Sequence, residues 1–405
     1  MKLVIYDQNN IKMGLVLLAL YDEKDKPILL EYADFTGKKD EIKLGQIYRA
    51  KVKNKAEHIG ACYVDMLPGV TGFLPKYENV IFCNSKKNSE LHNEDEVLVQ
   101  IKKIHSDHKK YEVSEKLSIP GDYLVIHTGK GTGFSKNISP EIKNAILEAG
   151  VFDDMKYGFI VRTSVEDLFA DGDQAVQALK EEAGSLSEKL DTMINNSKSR
   201  SCYSLMFEPL NEIFALIRKY SVNRGSSYTS EFKVITDNKS CYEDIEAFSK
   251  ENADLSFELS LYEDKLLSLQ ALMGLKSLMS ELESKKVYLK CGGYLFIEQT
   301  QAMVVVDVNS GKIDTRKEKE DAILQVNLEA CDKLMEQLIL RNLSGMIIVD
   351  FINMKNKESV HTILERMRAL ARKDNVKTSI IGFTKLGLLE MTREKKKPTL
   401  FQQMK

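Results

Sequence analysis

The spacing of apolar residues changes its period several times along the chain, most informatively between 303 and 354. Two β-branched apolar runs, 304–306 and 347–349, each end on an aspartate, Asp307 and Asp350. Between them Ile323, Val326, Ala330, Leu334 and Leu338 recur at steps of three and four, the period of a helix with one apolar face. Strand, helix and strand make a βαβ unit, whose crossover is right-handed and whose strands are parallel. Both aspartates then reach the same sheet edge, where open α/β sheets carry their sites. Two carboxylates brought together repel unless a cation lies between them, and a hard divalent ion such as Mg²⁺ suits their oxygens. The spacing alone serves equally well for aspartates that merely end a strand or cap a loop.

Elsewhere the period is mixed. Residues 1–44 read as short strands, including the apolar run 13–21. Residues 45–117 alternate apolar and polar side chains, with turn signals at Pro68, Gly69 and Gly72, as in a small OB-type β-barrel. Tyr48, Tyr63 and Phe73 are interleaved there with Arg49, Lys51, Lys53, Lys76, Lys109 and Lys110. Rings for bases and cations for phosphates are what a single-stranded nucleic acid needs. For any one ring, a place in the barrel core is the commoner role.

Residues 118–212 open with a strand at 123–127 and a glycine-rich loop at 128–138 that includes Gly133. Such a loop offers backbone N–H groups to a phosphate. It lacks the Walker A spacing, which argues against a nucleotide-binding P-loop. The strand 158–164 ends on Arg162 and Thr163, a guanidinium beside a hydroxyl that suits a terminal phosphate. A surface salt bridge with a helix cap is the plainer account of that pair. The pattern is helical from 166 to 217, then strand at 232–236 and helix at 268–286. A hairpin at 294–308 leads into the βαβ unit.

Composition narrows the class. The 405 residues suffice for two to four domains. Apolar content of 43% and charged content of 29% are those of a globular protein, and the net charge of −2 leaves nucleic-acid affinity to local basic patches. The six cysteines form no C-x-x-C pair, so neither a disulfide framework nor a zinc knuckle is expected, and a reducing cytoplasm suits them. The run at 13–21 is too short to span a bilayer.

Several stretches carry a resemblance. GGYLFIEQTQAMVVVDVNSGK, NLEACDKLMEQLILRNLSGMIIVDFINM and GLLEMTREKKKP resemble the catalytic region of the RNase E/G family of bacterial endoribonucleases. GACYVDMLPGVTGFLP, GFSKNI and GFIVRTS follow the family's order nearer the N-terminus. The resemblance implies a multidomain α+β and α/β fold. An RNase H-like subdomain (1–44 and 213–285) would carry an inserted S1-type OB barrel (45–117) and a 5′-sensor subdomain (118–212). A DNase I-like α/β catalytic subdomain (286–397) and a tail (398–405) would follow.

It also implies roles for particular residues. Asp307 and Asp350 correspond to the Mg²⁺-binding aspartates, Asn309 to the asparagine that supports them, and Arg341 to a basic residue close by. Tyr63, Phe73 and Lys109 correspond to the RNA-binding face of the barrel. Gly133, Arg162, Thr163 and Lys385 correspond to the pocket for a 5′-monophosphate. Lys385 stands where the family usually has arginine, Lys136 and Asn137 replace an Arg-Arg pair, and Gln301 replaces a glutamate. The first two changes weaken a phosphate fork. The zinc-link motif that joins protomers in many relatives is missing, so no structural zinc is expected, and a homodimer would use other surfaces. The expected activity is Mg²⁺-dependent hydrolysis of phosphodiesters in single-stranded, A/U-rich RNA, in the cytoplasm, serving RNA processing, rRNA maturation or mRNA decay. The rival reading is a non-catalytic RNA-binding protein on the same fold.

Overall fold

The structure is a computed structural model that describes residues 1–8, 14–35, 42–83, 90–105, 110–136, 138–170, 174–221, 232–311 and 319–404. Two compact units divide the chain. One comprises residues 1–37, 212–222 and 228–405, the other residues 38–211 with 223–227.

The first unit holds two sheets. In the five-stranded sheet, Lys2–Asp7 pairs antiparallel with Leu15–Tyr21, which pairs antiparallel with Pro27–Asp34; on the other side Lys233–Thr236 and Glu258–Leu261 add in parallel. Every residue of Leu15–Tyr21 is buried. Val16, Leu18 and Leu20 pack with Ile213, Ile217, Cys241 and Ile245 of helices Glu212–Ser221 and Lys239–Glu251. Leu17 and Ala19 pack with Leu269, Leu275 and Leu282. Cover on both faces explains why this strand reads as a continuous apolar run instead of an alternation. The helix expected over 268–286 is two helices, Leu269–Leu272 and Leu275–Glu283, parted at Gly274, whose φ of +61° is left-handed.

The six-stranded sheet runs in the order Lys286–Tyr288, Tyr294–Gln299, Met303–Asn309, Gly345–Asp350, Leu389–Arg393, Thr378–Phe383. Met303–Asn309 and Gly345–Asp350 are parallel and joined through the 22-residue helix Lys319–Leu340, as the βαβ reading requires. Val304, Val306, Ile347 and Val349 share one core with Ala330, Leu334 and Leu338 of that helix and Ile363 and Met367 of helix Lys357–Lys373. Side chains alternate across a strand. The opposite sheet face therefore carries the intervening residues, among them Phe296, Val305, Asp307, Met346 and Asp350, all exposed.

The second unit contains a closed five-stranded barrel. Ile47–Ala56, Ala61–Leu67, Val70–Leu74, Lys110–Ser114 and Glu96–His105 follow one another round it, and the last pairs back onto the first. This is compatible with the expected OB-type architecture. Residues 201–210, expected to be helical, instead contain a short strand, Leu205–Phe207, that adds to the barrel strand Ile47–Ala56. A four-stranded sheet of Ser118–Pro120, Leu124–His127, Gly158–Val161 and Thr132–Phe134 lies in the same unit. Helix Ala175–Ser197 shares its core through Leu179, Ala183 and Leu190. Among the described residues, no helix is long and apolar enough to cross a membrane.

Candidate active site

Asp307 and Asp350 are register partners on adjacent parallel strands, both exposed at the C-terminal edge of the six-stranded sheet. Neighbouring strands lie about 4.8 Å apart, and paired residues point to the same face. The two carboxylates therefore stand side by side on the open face. Asn309, two residues on, shares that face, and its Nδ2 donates to Asp307 Oδ2 at 2.6 Å. The donor set is two carboxylates and an amide. It fits a hard divalent cation that keeps several of its waters, as Mg²⁺ does.

The crossover helix secures the segments around this edge. Asn327 is fully buried; its Nδ2 donates to the Ile352 carbonyl at 2.8 Å and its Oδ1 accepts from the Ile352 amide at 3.1 Å. Glu329 accepts from the amides of Lys290 and Cys291 in the turn before Tyr294–Gln299. Glu320 Oε1 accepts from the amides of Lys355 and Asn356 at 2.8 and 3.0 Å. Close backbone approach finishes the arrangement: a Cβ at Gly311 (φ +60°) would lie 2.1 Å from the Gly292 carbonyl oxygen. One at Gly293 would lie 2.8 Å from that of Asn309.

Lys385, expected in the 5′-monophosphate pocket, and Arg341, expected beside the aspartates, are placed differently from one another. Lys385 is exposed in the turn at 384–388, which joins Thr378–Phe383 to Leu389–Arg393. Leu389 pairs with Val349, so the turn lies at the same sheet edge as Asp350, in the unit that does not contain Arg162. Arg341 is not brought to the aspartates. It is buried beyond the end of the crossover helix, at the other end of Gly345–Asp350, bonded to Gln337 Oε1 at 2.7 Å and the Ser284 carbonyl at 2.9 Å. Burial lowers its pKa to about 10. A guanidinium so enclosed ties backbone together and does not face substrate.

In the second unit, Gly133, Arg162 and Thr163 come together. Gly133 is the register partner of Ile160, two residues before Arg162. Ser135 Oγ and Thr163 Oγ1 are 2.8 Å apart, and Arg162 Nη1 donates to the Gly121 carbonyl. Arg162, Thr163 and Lys136 are exposed. Glu182 accepts from the amides of Asp122 and Tyr123, which follow the Gly121 whose carbonyl Arg162 holds. Burial raises its pKa to about 7, against the smaller opposing effect of those N–H groups. Asn137 lies outside the described residues.

The barrel separates its aromatics. Tyr63 and Phe73 are cross-strand partners with ring centroids 5.5 Å apart, and Tyr63 is 39% exposed. Tyr48 is buried and bonds Gln46 Oε1 at 2.8 Å. Arg49 is buried too, bonded to Glu96 and to the Ser197 and Arg200 carbonyls. Both leave the basic-aromatic face read from the sequence. Lys51 and Lys53 pair with Glu94 and Asp65. Lys109 lies outside the described residues, as does Lys312 of the NSGK stretch.

Residues 118–396 match the Ribonuclease E/G family. Ribonuclease G of Haemophilus influenzae is 30% identical over 374 residues, spanning 88% of this chain and 73% of that protein. Ribonuclease G of Escherichia coli K12 is 30% identical over 378 residues, spanning 88% of this chain and 74% of its own. The chain belongs to the ribonuclease E/G family. It is therefore an enzyme of the RNase E/G type, an endoribonuclease. Ribonuclease E of E. coli K12, 27% identical over 379 residues, spans 89% of this chain but only 34% of its own length.

Two functional-site residues, Asn327 and Glu329, give no signal in the apolar period. Asn327 and Glu329 stand in the NLEA stretch at 327–330. A fully buried asparagine on the apolar stripe of a helix is the signal that could have revealed a backbone-holding role.

Proposed function

We propose that this RNase E/G-type enzyme hydrolyses phosphodiesters within single-stranded RNA using Mg²⁺ held by Asp307 and Asp350. The in-register pairing of those carboxylates, with Asn309 bonded to one of them, carries the reading. The chemistry such an ion supplies is polarisation of the phosphate and acidification of an attacking water. The protein's part is positional. Asn309 holds one oxygen of Asp307, leaving the other carboxylate oxygens for the ion. Asn327 and Glu329 hold the chain on either side, and the exposed sheet face admits an extended strand.

The barrel ring pair Tyr63 and Phe73, with Lys109, would stack unpaired bases and meet phosphates, which favours single strands over duplex. A preference for A/U-rich segments accords with that weak base reading. Gly133, Arg162 and Thr163 would receive a 5′-monophosphate, a role their shared surface supports. Lys385 lies in the turn at the Asp350 end of its own sheet. We retain the division into RNase H-like, barrel, 5′-sensor and DNase I-like parts, and a cytoplasmic role in RNA processing or decay. A homodimer belongs to the same proposal.

The test is direct. Purified protein is incubated with a labelled, unpaired A/U-rich oligoribonucleotide in Mg²⁺ or in EDTA. Internal cleavage that requires the metal is expected. Binding without products in either condition would instead identify a non-catalytic RNA-binding protein.

A further inference from the structure

The open face of the six-stranded sheet carries aromatic residues that the ribonuclease reading has not used. The strand next to Asp307 is Tyr294–Gln299, and beyond it lies Lys286–Tyr288. Their register places Phe296 directly opposite Asp307 and Tyr294 directly opposite Asn309. Lys286 and Tyr288 pair in turn with Phe296 and Tyr294. Paired residues share a face, so one row reads Lys286, Phe296, Asp307, Asp350 and the next reads Tyr288, Tyr294, Asn309.

The rings form a continuous patch. Tyr294 lies 5.9 Å from Phe296 and 6.4 Å from Tyr288 between centroids, both edge-on. The Lys286 ammonium sits 3.9 Å from the Tyr294 centroid and 4.9 Å from that of Tyr288. Tyr288 is 69% exposed and Phe296 39% exposed. Rings of this size are normally covered, and an exposed cluster marks a binding surface.

Position decides what covers it. The patch begins on the strand next to that of Asp307, about 4.8 Å away between backbones. An RNA strand that crosses the sheet with a phosphodiester at Asp307 lays one of its flanking nucleosides over Phe296. The patch also holds a cation among its rings, the combination that single-stranded nucleic acid uses for base and phosphate together. We infer that Phe296, Tyr294 and Tyr288, with Lys286, form a base-stacking subsite for the nucleotide next to the scissile phosphate. The inference rests on the reading of Asp307 and Asp350 as the cleavage centre. It adds a second aromatic platform, on the catalytic sheet itself, to the one on the barrel.

The experiment compares Phe296→Ala and Tyr288→Ala with wild type on a short oligoribonucleotide. Phe296→Leu keeps bulk without a ring, and the melting temperature of each variant checks its fold. Base stacking lost to alanine weakens binding by roughly 5- to 150-fold per base. KM should rise by that factor. Binding measured in EDTA by quenching of a 2-aminopurine beside the cleavage position should weaken in parallel. Removing that base from the RNA should cost wild type the same factor and the variants nothing further. Unchanged KM and quenching in folded variants, with wild-type cleavage intact, would overturn the subsite while leaving the nuclease reading standing. A wild type that binds RNA but never cleaves it removes the nuclease reading, and the subsite with it. If instead the variants dissociate a wild-type dimer in sedimentation with per-protomer RNA affinity unchanged, the face binds a second copy and the subsite is refuted.

Discussion

Asn327 and Ile352 exchange two hydrogen bonds, side-chain amide to carbonyl at 2.8 Å and main-chain amide to side-chain oxygen at 3.1 Å. Ile352 stands two residues beyond Asp350, so this exchange sets where the Asp350 strand ends. Asn327→Ala leaves both main-chain groups of Ile352 without these partners, at a cost of about 2–4 kcal/mol. The expected result is a lower melting temperature and a metal requirement raised roughly 10- to 100-fold, as for other groups that orient ligands. Magnesium titration of cleavage, with kcat and KM separated, reads it. A loss of stability with an unshifted magnesium midpoint would confine Asn327 to a structural role.

Asp307→Asn and Asp350→Asn keep side-chain volume and remove one negative charge each. Either should lower the cleavage rate by on the order of 100-fold or more. RNA affinity measured by fluorescence anisotropy in EDTA should stay within a few-fold of wild type. Full activity in either variant removes the pair from the mechanism.

Arg162 and Thr163 are exposed on one surface with Gly133, and the hydroxyls of Ser135 and Thr163 already meet. Wild type should cleave a 5′-monophosphorylated RNA faster than its 5′-hydroxyl twin. Arg162→Ala should equalise the two by slowing only the first, since a charge-assisted fork is lost. Equal wild-type rates on the paired substrates would remove the end-sensing role.

Glu182 gives the second unit a pH-dependent stability. Its folded pKa, raised by burial to about 7 from an ordinary 4.5, exceeds the unfolded value. Its contribution is therefore complete below about pH 4.5 and is lost as pH rises through about 7. The loss is on the order of 3 kcal/mol. Urea unfolding of wild type at about pH 5 and about pH 8 should show it, and Glu182→Gln should flatten the difference. An identical slope in the variant would mean that other groups carry the pH dependence.

The βαβ unit was readable because its apolar period is strict and its helix long enough to exclude a strand. The barrel was readable from alternation and turn residues. The break at Gly274 was not, because the apolar stripe continues through it, and only the backbone angle interrupts the helix. Tyr48 and Tyr63 could not be told apart by type. Their strands face both core and solvent, and register alone decides which ring is covered. Arg341 and Arg393 show the limit for cations. Arg393 forms a buried two-point pair with Asp374, at 2.7 and 3.2 Å, and Arg341 is enclosed by carbonyl and amide oxygens. Both lie in conspicuous stretches, yet each binds the protein's own backbone or carboxylate. The rings of Tyr288, Tyr294 and Phe296 were equally silent, since nothing local says that one face of their sheet is left exposed.

The parallel register of Asp307 and Asp350 makes length a property under constraint. Side chains alternate every residue, so one residue inserted between Val304 and Asp307 turns that aspartate toward the packed helices. The same insertion between Ile347 and Asp350 does the same to its partner. Segments outside the strands answer to no such parity. Natural variation in chain length should therefore gather in the connections and vanish from the two strands. An engineer lengthening this enzyme has the connections to work with and not a single residue between Val304 and Asp307.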